Sequence, residues 1–384
     1  MNCIYLDYQA TTPLAPEAAA AMRPWLETNF GNPHSPHRYG REAHAAIEVA
    51  RERVLSALTG TKGAVASDCP PGRLYFTSGA TEAANWALKG VAARLPKGRR
   101  RIVTQATEHA CVLDTVEWLA GQGFEVDILP VGADGLVDPA LPASRIDART
   151  GLVAIMLVNN EIGAIQPVGE IAAAARAAGA VVFCDAVQGF GRVELPLVAC
   201  DMVAVSSHKV HGPKGVGALW VREGVALDPL LHGGGQEGGL RSGTLSPALC
   251  VGFGEAAHLL EERSDEDHAH VERLWTVARS VMVGWTLNGP AEARYRGNLN
   301  LRRDGIDAAR LISEVREVAF SAGSACASGS GRPSHVLAAL GLSDREARSS
   351  IRLGFGRYTG EAELREALGL IKQAAARQLD PAAE

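Results

Sequence analysis

The chain has 384 residues, of which 47% are hydrophobic and 21% charged, with a formal net charge of −5 at pH 7. That balance gives no basic footprint for nucleic acid or an anionic membrane as the main partner, and its apolar content suffices for one large and one smaller domain. Seven cysteines, Cys3, Cys69, Cys111, Cys184, Cys200, Cys250 and Cys326, are scattered without a C-x-x-C pair, so neither a disulfide framework nor a zinc site or other metal centre is expected.

At the amino terminus, Met1-Asn2-Cys3-Ile4-Tyr5-Leu6-Asp7 lacks a basic segment ahead of an apolar core, so no secretory signal is expected and the cytoplasm is the default location. Residues 42–58 carry apolar side chains at helical spacing, and 73–76 read as a strand whose Thr-Ser-Gly turn opens a helix from about residue 82. Arg99-Arg100-Arg101, the only tight basic cluster, reads as a solvated loop. Short apolar runs at 102–104, 125–129, 152–158, 181–184 and 202–205 read as buried strands, most beside an alanine-rich helix. The most apolar stretch, 171–182, carries Arg176 between Glu170 and Asp185 and is too short to span a bilayer. Parallel neighbours need long crossovers, so this alternation predicts an α/β fold with a mainly parallel sheet flanked by helices. Beyond about residue 250 the order becomes helix, strand, helix, which predicts a large domain over 15–250 and a small α+β domain made of 1–14 and 251–384. The last residues, 380–384, are expected to fray.

In such a sheet ligands gather at the carboxyl ends of the strands, and the residues there are chemically loaded. Phe76-Thr77-Ser78-Gly79-Ala80-Thr81-Glu82 sets hydroxyls and backbone amides at a helix amino terminus, which suits a phosphate or an ordinary helix cap. Thr107-Glu108-His109 brings an imidazole, Asn159-Asn160-Glu161 an amide, and Asp185-Ala186-Val187-Gln188 a carboxylate at a buried strand end, where only a cation would make it inexpensive. Ser206-Ser207-His208-Lys209 ends the last run, and Val210-His211-Gly212-Pro213-Lys214-Gly215 follows it at once. A lone lysine there is ordinary surface chemistry. Lysine, carboxylate, imidazole and phosphate cup together, however, are what pyridoxal 5'-phosphate (PLP) requires. A nucleotide-binding P-loop is excluded, because the glycine and Lys-Ser/Thr spacing is missing.

These residues resemble the PLP-dependent cysteine desulfurases of the aminotransferase class V family, with fold type I, over nearly the whole chain. The resemblance starts at Tyr5-Leu6-Asp7-Tyr8-Gln9-Ala10-Thr11-Thr12-Pro13 and Gly31-Asn32-Pro33-His34-Ser35, and runs through the strand-end motifs. It continues through His232-Gly233-Gly234-Gly235-Gln236-Glu237 and Arg241-Ser242-Gly243-Thr244 to Ser350-Ile351-Arg352-Leu353-Gly354-Phe355-Gly356-Arg357-Tyr358-Thr359. It implies Lys209 as the Schiff-base lysine, Asp185 on the pyridinium nitrogen, Gln188 on the ring hydroxyl and His109 stacked on the ring and handling protons. It implies Ala80, Thr81, Ser206 and His208 around the phosphate, with Thr244 supplied by the other subunit of a homodimer. Asn160 and Arg352 would orient L-cysteine, and Cys326, among Gly, Ser and Ala residues, would take its sulfur as a persulfide for an acceptor protein such as an iron–sulfur scaffold.

Two departures stand out. Segment 60–72 is longer than the family's connection and is expected to form a surface excursion, and the chain ends soon after Gln373-Ala374-Ala375-Ala376-Arg377, ahead of the tail on which housekeeping members dock their scaffold. The long cysteine loop, followed by Pro333-Ser334-His335-Val336-Leu337, resembles the subgroup that feeds iron–sulfur assembly or nitrogenase maturation.

Overall fold

Strands and helices alternate through most of the chain in the computed structural model, which describes residues 3–60, 69–323 and 334–380. The expected excursion falls mostly in 61–68, and Cys326 falls in 324–333. Both lie outside the described residues.

The short strand β1 (Ile4–Tyr5) precedes helices α1 (Pro16–Glu27) and α2 (Arg38–Thr59). Then follow β2 (Gly72–Thr77), α3 (Ala80–Ala92), β3 (Arg101–Gln105), α4 (Ala110–Gly121), β4 (Glu125–Leu129), α5 (Leu141–Arg145) and β5 (Thr150–Met156). Next come α6 (Val168–Ala178), β6 (Val181–Asp185), β7 (Met202–Ser206) and β8 (Gly217–Arg222). The long helix α7 (Pro247–Val281) leads to β9 (Thr286–Leu287), β10 (Asn298–Arg302), α8 (Ala308–Glu314), β11 (Val318–Ala319) and β12 (Ser321–Ala322). After them stand α9 (His335–Ala339), α10 (Asp344–Arg348), β13 (Ser350–Gly354) and α11 (Glu361–Leu379).

Seven strands form one sheet in the order β2-β8-β7-β6-β5-β3-β4. Strands β4, β3, β5, β6 and β7 run parallel, and β8 is antiparallel to both β7 and β2. Every residue of β5 is buried, as a central parallel strand covered on both faces requires. Its alternation feeds two cores: Val153 and Ile155 join one cluster with Phe76, Val203 and Trp220, while Leu152 and Ala154 join another with Trp86, Ile102 and Phe183. A separate four-stranded sheet, β12-β13-β10-β9, packs with α11 around Leu6, Leu299, Ile351, Leu353 and Leu368. Helix α7 belongs to both regions, with Phe253 and Ala257 in the first core and Leu274 and Val277 in the one around Leu6.

Three local expectations shift. Helix α2 starts at Arg38, a turn before the apolar periodicity, because the His37 ring accepts from the Gly40 amide at 3.3 Å and caps it. The strand expected over 152–158 is Thr150–Met156, since Val158 leaves the ladder to bridge Ile165. The triple arginine is not a solvated loop. Arg99 donates to the carbonyls of Thr150 and Ala178, and Arg101 lies in β3 against Asp127 and Asp147, so only Arg100 is exposed.

Candidate active site

The parallel ladder sets the heights of the reactive groups. Met156 pairs with Asp185 and Asp185 with Ala204, so the ends of β5, β6 and β7 lie side by side. Just beyond β7 a short 3-10 turn, Ser207–Lys209, delivers the lysine. The Ser207 carbonyl accepts from the amides of Val210 and Gly212, each at 3.0 Å, which folds the glycine-rich segment back beneath the turn. A Cβ on Gly212 would lie 2.0 Å from the Ser207 hydroxyl oxygen, so only glycine fits that approach.

These strand ends surround a cavity of about 650 Å³. Ala80, Thr81, His109, Asn160, Asp185, Gln188, Ser206, His208, Lys209 and Arg352 all line it, together with Gln9, Ala10 and Thr11 from the amino-terminal segment. Thr244 does not: it is exposed and outside the cavity of its own chain. The amide-bearing first turn of α3 forms one end, and Gly217 of β8 lies directly behind it, where a Cβ would come within 2.8 Å of the Gly79 Cα.

The Lys209 amine donates to the carbonyls of Gln9 and, at 2.9 Å, Ala10. Asp185 is buried, and its carboxylate accepts from the Val187 amide at 3.0 Å. Burial pushes its pKa up, against the pull of His109 and Lys209. Burial pushes His109 down, with Lys209 adding to the effect and Asp185 opposing it; its Nδ1 accepts from the Cys111 amide at 3.2 Å. His208 is held down to about 4 by burial and the Lys209 charge, and its Nδ1 lies 3.1 Å from the Thr11 hydroxyl. Arg352 is 1% exposed and donates to Asp7 Oδ1 at 2.7 Å and to the Asn160 carbonyl at 3.2 Å, while its Nε has no partner among the described residues.

Several participants escaped sequence reasoning. The carbonyls of Gln9 and Ala10 hold the amine, and a backbone acceptor leaves no signature in residue type. Glu108, fully buried beside His109, accepts from Gln105 Nε2 at 3.0 Å and from the Met156 amide, and burial followed by the Asp185 charge drives its pKa well up. Glu161 accepts from the Ser334 hydroxyl at 2.5 Å, tying α9's start to the loop after β5. The acidic residues next to His109 and Asn160 were visible, but nothing in the sequence marked them as buried.

Arranged this way, one amine, one buried carboxylate, two imidazoles and a helix amino terminus can hold an anionic aromatic aldehyde and move a proton beside it. The aminotransferase class-V family model matches residues 4–366. The chain is 42% identical over 377 residues to the cysteine desulfurase IscS of Rickettsia bellii (strain OSU 85-389), covering 96% of this chain and 90% of that protein. Among solved structures, a NifS-like protein superposes with a TM-score of 0.88 at 33% identity, covering 97% of this chain and 99% of that one. SspA in complex with cysteine superposes with a TM-score of 0.80 at 34% identity, covering 93% of this chain and 100% of that one.

Proposed function

We propose a division of labour for this chain, which belongs to the aminotransferase class V family and within it to the cysteine desulfurases, and which converts L-cysteine to L-alanine while passing on the sulfur. The family works with PLP, which when bound supplies an electrophilic aldehyde and a protonated ring able to take up negative charge. The observation that carries the assignment of residues is the convergence of Lys209, Asp185, His109 and the α3 amino terminus on one cavity. The donor set fits the group: a buried carboxylate whose pKa burial raises gains from a cationic ring nitrogen, and amides at a helix start gain from a phosphate.

Lys209 would carry the group covalently and, once displaced by the substrate amine, remove the α proton. Asp185 would face the ring nitrogen and keep it protonated, Gln188 would donate to the ring oxygen, and His109 would stack on the ring and relay protons. Ala80, Thr81, Ser206 and His208 would hold the phosphate. Thr244, exposed and away from its own cavity, would reach the same phosphate in a second copy, so the working unit is a homodimer. Asn160 and Arg352 would orient the substrate, whose carboxylate meets a guanidinium already paired with Asp7. Cys326, as thiolate, would attack the substrate sulfur, forming an S–S bond as the C–S bond breaks; the electron pair of that bond passes to the carbon fragment, which is reprotonated and leaves as alanine. The persulfide then goes to an acceptor protein, for which iron–sulfur assembly in the cytoplasm is the reading.

The test supplies purified protein with PLP, treats it with borohydride, and asks whether the label is fixed at Lys209. Cysteine should yield alanine and a thiol-releasable sulfide, and Cys326→Ser should lose the persulfide while keeping the visible absorbance band. Absence of borohydride-fixed label at Lys209, or unchanged sulfide from Cys326→Ser, would overturn the respective assignment.

A further inference from the structure

A second cavity, of about 940 Å³, backs onto the first, and Arg192, Lys209, Tyr8 and Tyr295 are among the residues that line it. Arg192 is absent from the lining of the first cavity but reaches the groups that are present there. One guanidinium nitrogen donates to the side-chain oxygen of Gln188, and the other donates to the Lys209 carbonyl at 2.6 Å. The Tyr295 ring centroid lies 5.2 Å from the guanidinium carbon. All three partners are neutral, and burial pushes the Arg192 pKa down. A cation kept in such a place is there for its donors.

Those donors settle which way the Gln188 amide points. Its nitrogen donates at 2.9 Å to the Gln9 carbonyl, the same oxygen that receives the Lys209 amine. Turned over, the amide would set its NH₂ against a guanidinium, which has no acceptor, and its oxygen against a carbonyl, which has no donor. Both contacts would be repulsive, so Gln188 presents NH₂, never C=O, beside the lysine amine.

We propose that Arg192 is a positioning residue which, by fixing the Gln188 amide, ensures that the cofactor's ring oxygen meets a hydrogen-bond donor, and so sets how firmly the Lys209-linked nitrogen keeps its proton. This rests on the reading of Gln188 given above. A donor on the ring oxygen weakens that oxygen's hold on the shared proton, so the nitrogen deprotonates at lower pH. Loss of orientation moves the titration upward. Of the groups that titrate or carry charge, Glu82, His109, Cys111, Asp185, His208, Lys214 and Arg352 line the first cavity with the amine, and Tyr8, Cys69, Glu194, His211, Glu261, Asp265, Asp267, His268, Tyr295 and Arg357 line the second, from which Arg192 approaches. All of them stay constant across the variants compared, so their fields cancel.

The experiment titrates the visible band of the PLP-loaded enzyme in a double-mutant cycle. Arg192→Met should raise the midpoint by about one pH unit, roughly tenfold in the proton equilibrium. In the Gln188→Ala background the same replacement should keep only the smaller part due to the lost charge. Arg192→Lys, which retains the charge but not the two-pronged grip, should shift the parent midpoint in the same direction and serves if Arg192→Met does not fold. An unshifted midpoint, or an equal shift with and without Gln188, overturns the inference alone. A parent enzyme that shows no visible band removes the reading beneath it and the inference together.

Discussion

The two walls of the cavity are made by different means. One wall consists of strand ends: Asp185 takes its position from the parallel ladder and Ser206 from the antiparallel pairing with β8, where a one-residue slip would turn each side chain to the opposite face, and Lys209 follows in the turn just beyond β7. The other wall brings Gln9, Ala10 and Thr11 together with Arg352, groups more than 300 residues apart, through the Asp7–Arg352 ion pair and the Gly354 amide bonded to the Leu6 carbonyl at 2.8 Å. The first wall is built into the main core, so it suits covalent and proton-transfer chemistry. The second closes by long-range contacts, and suits recognition of what enters.

If that contrast holds, the walls should fail differently. Lys209→Ala should cost the most, lowering alanine production by roughly 10⁴-fold or more with little change in thermal unfolding. Retention of a tenth of the activity would remove the lysine from the chemistry. Asp185→Asn should lower kcat by about 10² to 10⁴-fold and alter the visible band, because an amide does not hold a ring nitrogen charged. On the other wall, Arg352→Lys should chiefly raise KM for cysteine, by about 10 to 100-fold, since a lysine loses the fork that grips a carboxylate. A fall in kcat at unchanged KM would erase the contrast between walls.

The last effect concerns stability. His211, bonded to the Pro13 carbonyl at 3.0 Å, is held down to about 3 by burial and the Arg357 charge. Unfolded, it takes up a proton near pH 6.5, so the unfolded chain binds the extra proton and stability falls as the pH drops from about 6.5 toward 3. His211→Gln should flatten urea-derived stability across that window by up to about 1.4 kcal/mol per pH unit. A slope identical to that of the parent would mean that His211 is protonated in the fold.

Most of the first wall was legible in the sequence, because a short apolar run followed by Asp-Ala-Val-Gln or Ser-Ser-His-Lys advertises a strand end and the reactive groups beyond it. Its supports were less so. Arg192 stands four residues after Gln188, yet its acceptors are an amide oxygen and a backbone carbonyl that only the turn brings together. The same reason explains the misreading of Arg99 and Arg101: charge is written in the sequence, whereas the carbonyls and carboxylates that claim it come from strands and helices far along the chain. On the second wall, Arg352 was anticipated from a family motif, but its pairing with Asp7 depends on β13 lying beside the amino-terminal segment. Glu108 and Glu161 show the remaining gap, since an acidic residue in a motif gives no sign that the fold has sealed it from water.

Helix α7 runs unbroken from Pro247 to Val281 and contributes side chains to both interiors. Helix α7 therefore joins the two cores as a spine instead of a tether. A protease nick within 247–281 would orphan half an amphipathic cylinder, so fragment complementation should do worse with a break there than with one just before Ser246 or just after Met282.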